Sequence, residues 1–407
     1  MINRKNLTVF GIILLSLLLI LMIKEIMFIG IYLLLYMCVM IFVFNYKNIY
    51  LVIFVGINMI LYWAILIYHR QFHPLPTSGN DDLRFEKLAF NYYDAWINGY
   101  EPNVFQNSTF YSQIIAANYY LFGYNIYIPG TLNILLHIFS ILFLYKICLL
   151  LLKNEILTFI VLALYSFNPF HISYTVITMR EIFIILLILV FIYSLISYHI
   201  NKKIINIIIC FVSAILASLF HIGLLTLVFF IAIYILIFSK IKIPIKIILS
   251  TTLLIIFSFM LIKSDDTKLQ MLNRSDNDLE MSRTDYIIEK PANLSGYPLY
   301  ISKKSFYLLT KPFISDISNF TDIIAYIEKL LYLLPIILTV IFYKKIKDNN
   351  LILIMIFFCL FLSIIFGIGT ENYGTGIRHR EKFVYLLYII PFYLFIEAKR
   401  SKMNYEK

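Results

Sequence analysis

Charge is scarce in this sequence. Asp, Glu, Lys and Arg make up 14% of its 407 residues, about half the share that an ordinary soluble protein carries. That scarcity excludes a soluble globular domain, and with it nucleic-acid binding as the reason for the net charge of +11. Cysteine is scarce too. Cys38, Cys148, Cys210 and Cys359 all lie inside apolar runs, and none has a CxxC neighbour. Neither a disulfide framework nor a metal cluster is implied, and no metal or other cofactor is expected. There is no P-loop, no Rossmann fingerprint and no Asp-rich nucleotide-sugar motif, so a soluble nucleotide-activated donor is not indicated.

What is abundant is hydrocarbon. Residues of hydrophobic type reach 61%, aromatic ones 17%, and the mean hydropathy is +0.85. A bilayer core takes roughly 20 helical residues per crossing, and the apolar runs divide accordingly into residues 7–23, 26–45, 49–68, 127–151, 155–172, 182–199, 204–220, 223–239, 246–262, 326–343, 351–368 and 383–397. The expected fold is therefore an all-α polytopic membrane protein of about twelve spans, one integral domain over residues 1–407. The run from Ile204 to Phe238 is almost unbroken and, as one helix, would reach about 50 Å at ~1.5 Å per residue. It must fold back, and the polar interruption Ser218 to Gly223, with His221 inside it, is the place for the turn.

Lys and Arg in the short loops set the orientation. With the N-terminus in the cytoplasm, the inner loops hold Arg4, Lys5, Lys47, Lys153, Lys202, Lys203, Lys240, Lys242, Lys246, Lys344, Lys345 and Lys347, and the C-terminal Lys399, Arg400, Lys402 and Lys407 join them. Both termini are expected inside. Three long segments then face out: 69–126, 263–325 and 369–382.

The first outer segment carries Asp81-Asp82-Leu83-Arg84 ahead of a mixed apolar and polar stretch from Leu88 to Ile97, which predicts an amphipathic helix in the membrane interface. A second short helix is expected from Tyr111 to Phe122, stopped by Gly123. In 263–325, residues 264–289 read as a loop or lid and Lys311 to Tyr332 as a further interfacial helix. Arg180 and Glu181 begin the sixth span, where a guanidinium is costly unless it faces a polar interior. The last outer segment holds Arg378-His379-Arg380. By contrast Asn133 and His137 fall deep in the fourth span and are expected to hydrogen-bond between helices.

The outer boundary thus gathers carboxylates (Asp81, Asp82, Glu181), a histidine (His221) and a set of cationic or hydrogen-bonding groups (Arg84, Arg180, Arg378, His379, Arg380). Arginine binds diphosphate through planar bidentate contacts and stabilises it as a leaving group. A carboxylate or imidazole can take the proton of an attacking hydroxyl. The expected assignments are Asp81, Asp82, His221 and Glu181 for catalysis, and Arg84, Arg180, Arg378, His379 and Arg380 for substrate. Between the two adjacent acids, Asp81 is slightly favoured because it follows the flexible Ser78-Gly79-Asn80 turn.

Thr178-Met179-Arg180-Glu181-Ile182-Phe183, the basic turn Asn201-Lys202-Lys203, and Ala217-Ser218-Leu219-Phe220-His221-Ile222-Gly223 together resemble the span, turn and hairpin of EpsG-type and Wzy-like repeat-unit polymerases. The first outer loop, with Asp81 or Asp82, Ala95-Trp96-Ile97-Asn98-Gly99 and Tyr120-Leu121-Phe122-Gly123, is similar to that of GT-C glycosyltransferases, although here it follows the third span instead of the first. The resemblance implies a GT-C-like fold in a bacterial inner membrane. It also implies a metal-independent glycosyltransferase that polymerises O-antigen, capsule or exopolysaccharide units from a polyprenyl-diphosphate-linked oligosaccharide. Membrane lipid is an implied partner, as are a chain-length regulator and a flippase. Two alternatives are a GT-C enzyme with a polyprenyl-phosphate-sugar donor and a lipid-linked-oligosaccharide flippase or transporter.

Overall fold

A computed structural model of the chain describes residues 48–75, 81–106, 108–238, 242–248, 251–252, 288–289, 291, 293–370 and 372–405. All regular structure among them is helical. Among the described residues five helices are long and apolar enough to cross a membrane, or six when one broken pair is counted as a span. They are α1 (Ile49–Gln71), α4 (Ile128–Leu152), α7 (Glu181–Asn201), α11 (Phe320–Ile341) and α13 (Asn350–Ile368), and the broken pair is α5 (Glu155–Ser166) with α6 (Pro169–Val176). The architecture is that of a polytopic helical membrane protein. Of the twelve expected runs, 7–23 and 26–45 lie outside the described residues, as does most of 246–262. Two others, at 204–220 and 223–239, form shorter apolar helices.

The chain divides into two compact units. The first comprises the described residues up to Leu142 with Ser166–Leu186, and the second Phe143–Tyr165 with the described residues from Leu187 onward.

In the first unit, Asn48 starts α1 by accepting from the backbone N–H groups of Tyr50 and Leu51 at 3.0 and 3.4 Å. Helix α2 (Asp81–Asn98) buries Asp82, Phe85, Leu88, Ala89, Tyr92 and Ala95, the three-and-four spacing of one helical face. That face packs on α3 (Phe110–Phe122), with Leu88, Tyr92 and Ala116 at the centre. Gly99 and Gly123 follow the two helices with φ of 74° and 81°, a backbone region in which a side chain is strained. Asn168 and Pro169 break the α5–α6 pair: the Asn168 side chain accepts from Phe170 N at 2.8 Å and His171 N at 3.2 Å, and proline takes the first helical position. At Gly130 of α4 a Cβ would stand 2.5 Å from Leu66 Cδ1 of α1 and 2.6 Å from the Val176 carbonyl oxygen, so the three elements meet at a distance only glycine allows.

The second unit holds α8 (Ile204–Phe220) and α9 (Leu227–Phe238), separated by a 3-10 turn at Ile222–Thr226, so the chain breaks where the polar interruption required. Helix α10 (Tyr297–Thr310) packs on α13. Helix α11 begins at Phe320, not at Lys311. Pro312 cannot donate inside a helix, and the true start is a capping box in which Asn319 and Asp322 satisfy each other's backbone. The one-turn helix α12 (Tyr343–Ile346) lies between α11 and α13, α14 (Tyr373–Arg380) opens on the Asn372 side chain, a 3-10 turn covers Val384–Tyr388, and α15 (Ile389–Tyr405) closes the described chain.

Candidate functional site

The two adjacent acids of the first unit separate sharply. Asp81 keeps a side-chain exposure of 45% and makes a loose ion pair with Arg84, 3.8 Å away and 65% exposed itself. Asp82 is only 3% exposed. Successive helical residues differ by about 100° around the axis, so one of the pair faces water while the other turns inward. Burial, and then the charge of Glu86, raise the Asp82 carboxyl to about 6, against the pull of Arg70 and of backbone N–H groups at the helix start. Its Oδ1 is buried without a hydrogen-bond partner.

Arg70 and Glu86 complete this cluster, and neither stood out in the sequence. Arg70, in the last turn of α1, forms a two-pronged ion pair with Glu86 and donates to Thr178 Oγ1 at 2.9 Å. The Thr178 hydroxyl in turn donates to Glu86. Two signals were available: Asp82 and Glu86 are four apart on one helix, hence on one face, and Arg70 is a cation at the end of an apolar run.

Arg180 reaches the same neighbourhood. Its Nη1 donates to Ser108 Oγ at 2.6 Å, and its guanidinium carbon stands 5.7 Å from the centre of the Phe85 ring, one turn along α2 from Asp82. The acidic turn and the Arg180 motif, about a hundred residues apart in the chain, therefore come together on α2. Glu181 is buried at the first residue of α7.

The backbone ahead of Arg180 is clasped by Asn133, whose Nδ2 donates to Ile177 O and Met179 O at 2.9 Å each while its Oδ1 accepts from Tyr111 at 3.3 Å. One turn on, His137 Nδ1 and His171 Nε2 are 2.9 Å apart and Tyr62 stacks on His137 at 4.2 Å. The interhelical hydrogen bonding expected of Asn133 and His137 is present, with His171 as the partner the sequence had not marked.

In the second unit His221 and His379 meet edge to face, ring centres 5.3 Å apart, and both touch Phe366. His379 Nδ1 lies 2.9 Å from Thr370 Oγ1. The Thr370 hydroxyl has one proton and donates it to Phe366 O at 2.6 Å, so toward His379 it accepts. The neutral ring therefore carries its proton on Nδ1 and its lone pair on Nε2. Arg378 is half-buried on α14. Arg380 is enclosed: it donates to Lys311 O at 2.5 Å and to Ala325 O and Glu328 Oε2 at 3.3 Å, beneath Tyr332. Its guanidinium serves the protein's own oxygens, which is the geometry of a structural clasp.

Among the described residues no group of three or more His, Cys, Asp or Glu side chains is placed to hold a metal ion. The fold and these clusters define a helical membrane protein with a buried acid near Arg70 at the end of an apolar helix. No protein-family model matches the chain, and no curated protein and no solved structure does.

Proposed function

We propose that the protein is a bacterial inner-membrane glycosyltransferase that polymerises lipid-linked oligosaccharide repeat units. In this reading the twelve apolar runs all span the membrane, both termini are cytoplasmic, and the reaction takes place at the outer face. A glycan carried on polyprenyl diphosphate is transferred to a sugar hydroxyl of a second lipid-linked unit. The acceptor oxygen attacks the anomeric carbon, the bond from that carbon to the diphosphate oxygen breaks, and the diphosphate leaves with the electron pair. Asp82 takes the hydroxyl proton, and Arg180 holds the diphosphate as its charge develops.

The observation that carries the reading is Asp82 itself: a carboxyl buried at the start of α2, raised to about 6, with Arg180 against the Phe85 ring one turn away. A base that titrates near 6 is ionised at neutral pH yet still basic enough to accept a proton. Deletion of the gene followed by gel analysis of the surface glycan tests the reading. Single repeat units in place of a ladder are expected. A truncated repeat would instead indicate a transferase adding one sugar, and an unchanged ladder would remove the protein from polymerisation.

A further inference from the structure

Two polar atoms in the first unit are left over from the cluster around Asp82. A guanidinium carries five N–H donors in a planar fork. The bonds that Arg70 makes run from Nη1 and Nη2, two to the Glu86 carboxylate and one to the Thr178 hydroxyl. Its Nε–H is buried and, among the described residues, meets no hydrogen-bond partner, and the same holds for Asp82 Oδ1. Both side chains are enclosed, that of Arg70 10% exposed and Asp82 3%.

The two groups lie around one carboxylate. Asp82 and Glu86 are four residues apart on α2, which puts their Cβ atoms about 6 Å apart on one face, and Glu86 grips Arg70 at the end of α1. The Arg70 charge accordingly pulls on the Asp82 carboxyl. Neighbouring polar side chains have other engagements: His69 Nδ1 accepts from Leu75 N at 3.1 Å, Gln71 donates to the Tyr127 hydroxyl at 2.8 Å, and Asp81 turns to Arg84.

A buried group with its hydrogen bond unmade is expensive. A donor and an acceptor left around the same carboxylate therefore mark a place for a group that can do both. A carboxylate only accepts and an ammonium only donates, whereas a hydroxyl gives its proton to one partner, accepts from another and keeps a second lone pair. We infer that Arg70 Nε and Asp82 Oδ1 together seat one hydroxyl group, that of the acceptor sugar, and that Glu86 and Thr178 hold the Arg70 fork in place for it. This role for Arg70 rests on the transfer proposed above, in which Asp82 receives the proton of that hydroxyl. Arg70 adds the contact that orients the oxygen, and the remaining lone pair is free for the anomeric carbon. A site built to hydrogen-bond a substrate hydroxyl rejects an analogue that lacks it, because the protein's own buried groups then stay unpaired.

The test is equilibrium binding to the full chain in lipid nanodiscs with two soluble probes. One is the methyl glycoside of the host's repeat oligosaccharide, and the other has hydrogen in place of the hydroxyl through which the repeat units are joined. Neither carries a diphosphate, so both report the acceptor side without any transfer. The parent should bind the complete glycoside about a hundredfold more tightly than the deoxy one. Arg70→Lys keeps a charge for Glu86 but has no Nε–H, and should narrow the gap to about tenfold or less. Should that variant not fold, Arg70→Met combined with Glu86→Gln removes both charges together, leaves an acceptor for Thr178, and should show the same narrowing. Equal affinity of the parent for the two probes, which a water between the two groups would give, overturns the inference, as does a parent that binds neither. So does a folded Arg70 variant that keeps the parental gap. A parent that shows the gap yet builds no ladder from lipid-linked repeat units keeps the seat and loses the polymerase reading, whereas one that builds ladders without the gap keeps the reading and loses the seat.

Discussion

Replacing Asn133 by Leu should release the segment that leads into Arg180. The Asn133 side chain makes three hydrogen bonds, donating to Ile177 O and Met179 O and accepting from Tyr111. The segment Ile177 to Arg180 is not helical, so it cannot draw on a regular helical ladder to hold its shape. Each intramolecular hydrogen bond contributes about 0.5–1.5 kcal/mol net, and bonds between membrane helices fall toward the lower end because the inserted, unpacked chain finds other partners. For three bonds the expected loss is about 1.5–3 kcal/mol. Leu keeps the branch at Cγ and the same number of side-chain heavy atoms, so no cavity opens; its bulkier methyl groups add some overpacking to the loss of the polar contacts. Asn133→Asp is the informative companion: it retains an acceptor for Tyr111 but an ionised carboxylate cannot donate to the two carbonyls. Both variants, purified in one detergent, should unfold at lower denaturant or temperature than the parent, with Asp no better than Leu. Parental stability in Asn133→Leu would refute the clasp.

Asp82→Asn should lose activity yet be at least as stable as the parent at neutral pH. With the Asp82 carboxyl raised to about 6, the parent gives up stability as pH rises from the ordinary carboxyl range through 6, and Asn abolishes that cost. Parental activity should rise through pH 6 as the base ionises, a limb that a pH profile will show or deny. Thr370→Val should release His379 from its Nδ1–H tautomer while Thr370→Ser keeps it, as nitrogen NMR of labelled histidine would report. Gly130→Val should cost about 1–3 kcal/mol by overpacking against Leu66 and the Val176 carbonyl, read as a lower melting temperature.

How far the sequence could lead is clear from the acidic turn. Its place at the head of an amphipathic helix was legible, because the apolar positions from Phe85 to Ala95 recur every three or four residues. Which of the two acids faces inward was not. That depends on the phase of the helix against α3, and the slight preference for Asp81 rests on the flexible turn before it and on the GT-C resemblance, whereas the structure buries Asp82. Arg70 and Glu86 were hidden for a related reason: their meaning lies in contacts between α1, α2 and Thr178, and pairing across separate elements leaves no local pattern. The turn at His221 was legible from the length of the apolar run alone. The start of α11 was misplaced because apolar periodicity extends back past Pro312, while the capping box at Asn319 and Asp322 decides the boundary. Arg380 looked like a ligand for anions in the sequence and is instead spent on Lys311, Ala325 and Glu328, a burial that no spacing announces.

The most direct measurement is polymerisation in a defined system: the purified protein in nanodiscs, a polyprenyl-diphosphate-linked repeat unit as the only substrate, and the products run on a gel. The parent and Asp81→Asn should build ladders at similar rates, and Asp82→Asn should slow by about a hundredfold or more. A parent that builds no ladder from the repeat unit its own host makes would contradict the function. A ladder at parental rate from Asp82→Asn would contradict the site.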